Sequence, residues 1–180
     1  EVRRILDAAS LRDVKIVGSG GLDEYDLESF SEQGIPYDSY GVGTKMGVSA
    51  DAPWLDIAYK LVEYNDLPVL KLSTGKVSWP GKKQVFRFRN DKGQLVKDLI
   101  ALRTERFSEA EPLLEKVMEN GKIIGARPSL RESRERFADE FKCLDETHKP
   151  IRNPSLYPAE LSPQLNSLRD SAERRLQHAS

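Results

Sequence analysis

Val14-Lys15-Ile16-Val17-Gly18-Ser19-Gly20-Gly21-Leu22-Asp23-Glu24 is the stretch that decides the fold. Its β-branched run reads as a short buried strand, Gly18 to Gly21 as a glycine-rich turn, and Asp23 as the N-cap of a helix. That helix carries Leu27 and Phe30 and stops at Gly34, a residue suited to a helix end. Tyr37 to Tyr40 gives a second strand, ending in Gly41-Val42-Gly43-Thr44. Two strands joined by one short helix make a βαβ unit with parallel strands. Upstream, Val2, Ile5, Leu6 and Ala9 recur at helical spacing, so residues 1–10 read as an amphipathic helix, one without a visible N-cap.

From Ala58 onward the pattern changes to hairpins. Ala58 to Tyr64 and Pro68 to Leu72 flank Asn65-Asp66, while Gln84 to Arg89 and Gln94 to Ile100 flank Asn90-Asp91-Lys92-Gly93. Trp79-Pro80-Gly81 between them is a turn signal. Ser108 with Glu111 reads as a capping box opening a helix with Leu113, Leu114, Val117 and Met118 on one face, ended by Asn120-Gly121. Ser129 with Glu132 opens a second helix, carrying Leu130, Phe137 and Phe141; Ser162 with Pro163 opens a third, carrying Leu165, Leu168, Ala172 and Leu176. Pro150, Pro154 and Pro158 make the segment before the third an extended strap. The expected division is residues 1–55, a βα part; residues 56–108, antiparallel hairpins; and residues 109–180, a helical region.

Composition excludes several classes. The 180 residues hold 28 Lys and Arg against 29 Asp and Glu, spread along the chain, so there is no basic face for nucleic acid and no acidic tail. The apolar fraction of 38%, before its 12 glycines are counted, fits a folded domain. No apolar run is long enough for a membrane span. One cysteine, Cys143, cannot form an internal disulfide, which fits a reducing compartment; a cytoplasmic location is expected.

The two glycine clusters are the informative pair for chemistry. Each ends a parallel strand, where glycine lets backbone N–H groups approach a phosphate and a following helix N-terminus adds a favourable field. In (β/α) barrels the loops after the last strands often form such a cup. Each cluster alone reads more simply as a plain tight turn; two in consecutive units, each with a hydroxyl residue (Ser19, Thr44), bring the phosphate reading level with it. Asp23 and Glu24 read either as metal or ribose contacts or, more simply, as helix capping and dipole compensation. Lys82, Lys83, Arg87 and Arg89 are a solvated face or a phosphate contact, since no matching acids flank the lysines. His148 and His178 have no second ligand at metal spacing and read as surface histidines; Cys143 reads as a half-buried structural cysteine.

Val14 to Glu24, followed by Asp38-Ser39-Tyr40-Gly41-Val42-Gly43-Thr44, resembles the C-terminal half of the nicotinate phosphoribosyltransferase family. Tyr59-Lys60-Leu61-Val62, Lys71-Leu72-Ser73, Pro80-Gly81-Lys82-Lys83-Gln84-Val85-Phe86-Arg87, Arg127 to Arg134 and Leu156-Tyr157-Pro158 extend the likeness over essentially the whole chain. The resemblance implies an α/β fold: the last βα units of an irregular (β/α) barrel, followed by antiparallel hairpins and C-terminal helices of a second domain. It implies an enzyme that joins nicotinate to 5-phosphoribosyl 1-diphosphate, giving nicotinate mononucleotide and diphosphate, coupled to ATP hydrolysis, in NAD salvage. Ser19, Gly20 and Gly21 then match one half of the family's phosphate cup, and Gly43 and Thr44 the other, with Asp23, Lys82 and Lys83 as secondary candidates. Catalysis would be positioning plus stabilisation of an oxocarbenium-like centre, with Mg2+ neutralising the departing diphosphate.

The resemblance also implies what to expect elsewhere. The family's phosphorylated histidine and its nicotinate-binding arginine belong to an N-terminal portion, and neither is assignable here. The chain is therefore expected to be a C-terminal fragment or one piece of a cleaved chain, inactive alone and completed by an N-terminal segment and a homodimer partner. The uncapped first helix, and two barrel strands that cannot close a barrel, point the same way. A related quinolinate or nicotinamide transferase, and a non-catalytic phosphate-binding or assembly module, are the alternatives.

Overall fold

A computed structural model describes residues 1–54, 57–75 and 77–178, the side chain of His178 excepted, so the surface reading of that histidine lies outside the described residues. Two compact units divide the chain, Glu1–Ala58 and Tyr59–Ser180.

The first unit contains α1 (Val2–Ala8), β1 (Val17–Leu22), α2 (Glu24–Glu32), β2 (Ser39–Val42) and the single turn α3 (Thr44–Gly47). β1 and β2 pair in parallel with α2 as the crossover, as the sequence predicts. The first strand, however, begins at Val17 and runs through the glycine cluster, rather than ending before it. Side chains take up the backbone of the expected strand instead. The Arg3 guanidinium donates to the carbonyls of Leu11 and Val14 at 2.8 Å, and the Asp38 carboxylate accepts the Ile16 N–H at 2.7 Å. Asp23 caps α2 in a capping box with Asp26, and Gly34 follows the helix at φ 61°. A cluster of Phe30, Tyr37 and Tyr40, with ring centroids 5.5 to 6.1 Å apart, covers one side of the ladder. Gly18 makes room for it: a Cβ there would lie 3.3 Å from the Tyr37 ring.

The second unit opens with a short hairpin, β3 (Glu63–Tyr64) and β4 (Leu67–Pro68), turned by Asn65 and Asp66 at φ 47° and 58°. Two positive φ values in a two-residue loop make the turn that matches strand twist. Its main sheet has four strands in the order β10 (Ala159–Leu161), β6 (Leu95–Leu102), β5 (Lys83–Arg89), β7 (Ala110–Pro112). β5 is antiparallel to β6 and β7, whereas β10 joins β6 in parallel. Phe86, Leu99 and Ala101 are buried at its centre, with Phe88, Phe107 and Ala110 packed around them. Phe86 and Phe107 meet edge to face at 4.9 Å, a favoured aromatic geometry.

Two expectations are corrected here. The helix expected after Ser108 is instead β7, followed by the hairpin β8 (Met118–Glu119) and β9 (Lys122–Ile123). Pro112 would fall in the fourth helical position, where it removes the first N–H of the ladder and its ring meets the carbonyl four residues back. Asn120 and Gly121, at φ 49° and 75°, turn a hairpin rather than end a helix. The strap from Pro150 does not stay unpaired: it leads into β10.

The other two helices follow the sequence. α4 (Leu130–Cys143) starts in a full capping box between Ser129 and Glu132. α5 (Pro163–His178) is capped by Ser162, whose hydroxyl accepts the Leu165 N–H at 3.1 Å and donates to the Glu105 carboxylate at 2.8 Å. Leu165 and Ala172 bury the inner face of α5. None of the described helices is long and apolar enough to cross a membrane.

Candidate functional site

Ser19, Gly20, Gly21, Gly43 and Thr44 all lie at the carboxyl end of the β1–β2 ladder. The register runs Val17↔Ser39, Gly18↔Tyr40, Ser19↔Gly41 and then jumps to Leu22↔Val42. Gly20 and Gly21 are the two residues left over, and they bulge from the ladder at φ 125° and 64°. L-residues rarely adopt that conformation, and glycine does so freely. A Cβ on either would meet nothing within 4 Å, so backbone conformation rather than crowding selects glycine there. Gly41 is different, because its Cβ would lie 2.9 Å from the Ser19 hydroxyl. Beyond it, Gly43 is the N-cap of α3 and supplies no side chain to cap the turn that Thr44 begins.

One functional candidate was missed by the sequence reading. Lys45, directly after Thr44, reaches back to the Asp23 carboxylate at 2.5 Å and lies 3.8 Å from Asp26. The ion pair ties the second glycine turn to the helix that follows the first. Asp23 also accepts the N–H groups of Tyr25 and Asp26 at 3.1 and 3.0 Å. The Lys45 ammonium, chiefly, and these N–H groups hold the Asp23 carboxyl below its usual range, while Asp23 raises Lys45. Asp23 is thus fully engaged as a cap and tether. The adjacency of Lys45 to a glycine-hydroxyl turn was the available signal.

Lys82, Lys83, Arg87 and Arg89 belong to the second unit, and most have acids after all. Lys82 pairs with Glu63 at 2.6 Å, which raises the lysine's pKa. Lys83 is half-buried and donates to the carbonyls of Gly81 and Pro80 at 2.7 and 3.3 Å; burial pushes its pKa down. Arg87 makes a forked pair with Asp98 at 2.9 and 2.8 Å and reaches Glu140 at 3.1 Å; the Asp98 bonds raise its pKa. Arg89 binds Glu140 at 2.6 Å. Glu140 stands 53 residues from Arg87, so no local charge pattern reveals this network.

The remaining candidates are structural. The His148 Nδ1 meets the Ser155 carbonyl at 2.7 Å, and its ring stands edge-on to Tyr157. Cys143 is half-buried at the end of α4. Among the described residues no group of three or more His, Cys, Asp or Glu is gathered to hold a metal. With Asp23 engaged as well, no residue here is assigned to Mg2+ or ATP.

A parallel βαβ pair with glycine turns at its carboxyl ends is the arrangement of α/β ligand-binding proteins. Comparison with known proteins narrows the class. Residues 106–169 match the family model for the nicotinate phosphoribosyltransferase C-terminal domain. Nicotinate phosphoribosyltransferase pncB2 of Mycobacterium tuberculosis is 39% identical over 153 residues, covering 81% of this chain and 33% of that protein. The Bacillus subtilis enzyme of the same name is 29% identical, covering 90% of this chain and 39% of its own. The crystal structure of human nicotinic acid phosphoribosyltransferase superposes with a TM-score of 0.73 at 25% identity, over 95% of this chain and 37% of that one. The chain corresponds to the C-terminal portion of a nicotinate phosphoribosyltransferase, and it spans about a third of the length of such relatives.

Proposed function

We propose that this chain is the phosphate-binding portion of an enzyme that joins nicotinate and 5-phosphoribosyl 1-diphosphate to nicotinate mononucleotide and diphosphate, with ATP hydrolysis coupled to it. Ser19, Gly20 and Gly21 form one half of a cup for the 5-phosphate, and Gly43 and Thr44 the other. The observation that carries this reading is the register jump between Ser19 and Leu22, which projects Gly20 and Gly21 at the same ladder end as Gly43. Backbone N–H groups bind a phosphate without net positive charge, so the balanced composition is no obstacle. Lys45 adds a cation held by Asp23 beside Thr44. Lys82 and Lys83 are not needed for the cup. Mg2+, ATP, nicotinate and a homodimer partner would engage residues beyond those assigned here.

Titration of nicotinate mononucleotide into the chain tests the cup. Gly43→Trp adds bulk where a Cβ meets nothing within 4 Å, so it blocks the anion's approach without a steric clash, and circular dichroism checks that the fold is kept. Losing charge-assisted hydrogen bonds should weaken binding by about 10- to 100-fold. Equal affinity in that variant would remove the assignment.

A further inference from the structure

The start of β5 and the end of β6 set two cations against each other. Lys83 pairs with Leu102 in the antiparallel register. The Arg103 N–H donates to the Lys82 carbonyl at 2.9 Å, which makes Lys82 and Arg103 the next cross-strand pair. Like charges directly opposed on two strands destabilise a sheet. Glu63 answers Lys82, but among the described residues no carboxylate pairs with Arg103. Arg106 adds a third cation. Its guanidinium donates to the carbonyls of Arg103 and Glu105 at 2.8 and 2.7 Å.

These three side chains line an open cavity of about 530 Å³, together with Glu63, Asp66 and Thr104. Its wall is held firmly. Pro80 is fully buried, Gly81 sits at φ 77°, and a Cβ on Gly81 would lie 2.9 Å from the Leu168 side chain on α5. The buried Glu105 carboxylate accepts the Leu102 N–H at 2.7 Å and the Ser162 hydroxyl at 2.8 Å, which fixes the end of β6 to the start of α5. A rim built in advance loses little freedom on binding. With Glu63 already answering Lys82, Arg103 is, among the described residues, the cation on this rigid rim whose charge a bound anion would compensate.

We propose that this cavity is an anion site for a diphosphate-type ligand bridging Lys82 and Arg103, with Arg106 as a third contact. Two phosphoryl groups engage both opposed cations, and a guanidinium fork suits phosphate oxygens. Glu63 is the built-in competitor, because the anion must draw Lys82 away from it. The site uses no residue of the glycine turns and stands independently of the cup.

Inorganic pyrophosphate titrated into the full chain carrying Gly43→Trp tests it, since that background silences the cup. One equivalent should bind, more weakly as salt rises. Arg103→Gln should weaken binding by about 10-fold or more, Arg103→Lys should keep part of it, and Glu63→Gln should tighten it by freeing Lys82. Circular dichroism on each variant checks the fold. No binding in the Gly43→Trp background, unchanged affinity in folded Arg103→Gln, or weaker binding in Glu63→Gln would each overturn the proposal. A failed nicotinate mononucleotide titration would leave it standing.

Discussion

The two units are held together by different physics. In Tyr59–Ser180, Phe86, Leu99, Ala101, Leu165 and Ala172 are buried under an apolar sheet and helix. Among the described residues of Glu1–Ala58 only Gly18 is buried, and Val17 on the first strand is 62% exposed. What organises that unit is polar: Arg3 on two carbonyls, Asp38 on the Ile16 N–H, and Asp23 between a helix N-terminus and Lys45. The candidate chemistry sits on the weakly packed unit. Exposed hydrogen bonds and ion pairs each contribute little net stability, so local opening is cheap there and costly in the sheet.

The largest test of that contrast is Phe86→Ala. Truncating a buried aromatic should cost about 3–5 kcal/mol, read from urea denaturation followed by circular dichroism. Next comes the glycine ladder. Gly21→Ala places a Cβ in the left-handed region without any clash, so backbone preference alone sets the cost at about 1–2 kcal/mol, read as lost hydrogen-exchange protection in residues 17–42. Comparable damage to the sheet's protection in both variants would dissolve the distinction. Ser129→Ala is smaller, about 1 kcal/mol for a lost cap. It sharpens the comparison, because α4 has no buried residue and Phe137 is 68% exposed, so within the second unit this helix is held by polar contacts as the first unit is.

What could be read from the sequence follows the same divide. The Asn65-Asp66 and Asn90 to Gly93 turns and the caps at Asp23, Ser129 and Ser162 rest on interactions within a few residues, and local pattern suffices for them; the βαβ unit follows from the order of its strands and helix. The glycine positions of the site were legible, but not the strand that contains them, because Arg3 and Asp38 take the backbone of Val14 to Ile16 from a distance. The segment after Ser108 was misread because Ser108 and Glu111 carry a helix signal while the Phe86–Phe88 strand recruits Ala110–Pro112 as its neighbour. The acid that matches Lys82 is not legible in the sequence, because Glu63 is joined to it only by the fold, as Glu140 is to Arg87.

The smallest effect expected is an acid response confined to the first unit. Asp38 is held below its ordinary carboxyl range, first by the Ile16 N–H and then by Lys15, and Asp23 is lowered chiefly by Lys45. A carboxyl depressed in the folded state binds protons more readily when unfolded, so its stabilisation is present above the ordinary value near 3.8 and fades as pH falls through the folded value. Below that range Ile16 and Lys15 lose their anionic partner, and the entry to β1 should loosen. Amide exchange at residues 14–19, followed from neutral pH downward after correction for intrinsic rates, should show protection falling with acid. Asp38→Asn should show that lower protection already at neutral pH and respond less to acid, and added salt should mimic part of the change, because the Lys15 partner is well exposed. Protection that stays level with acid in the unsubstituted chain would mean that the aromatic cluster of Phe30, Tyr37 and Tyr40, rather than Asp38, holds the ladder.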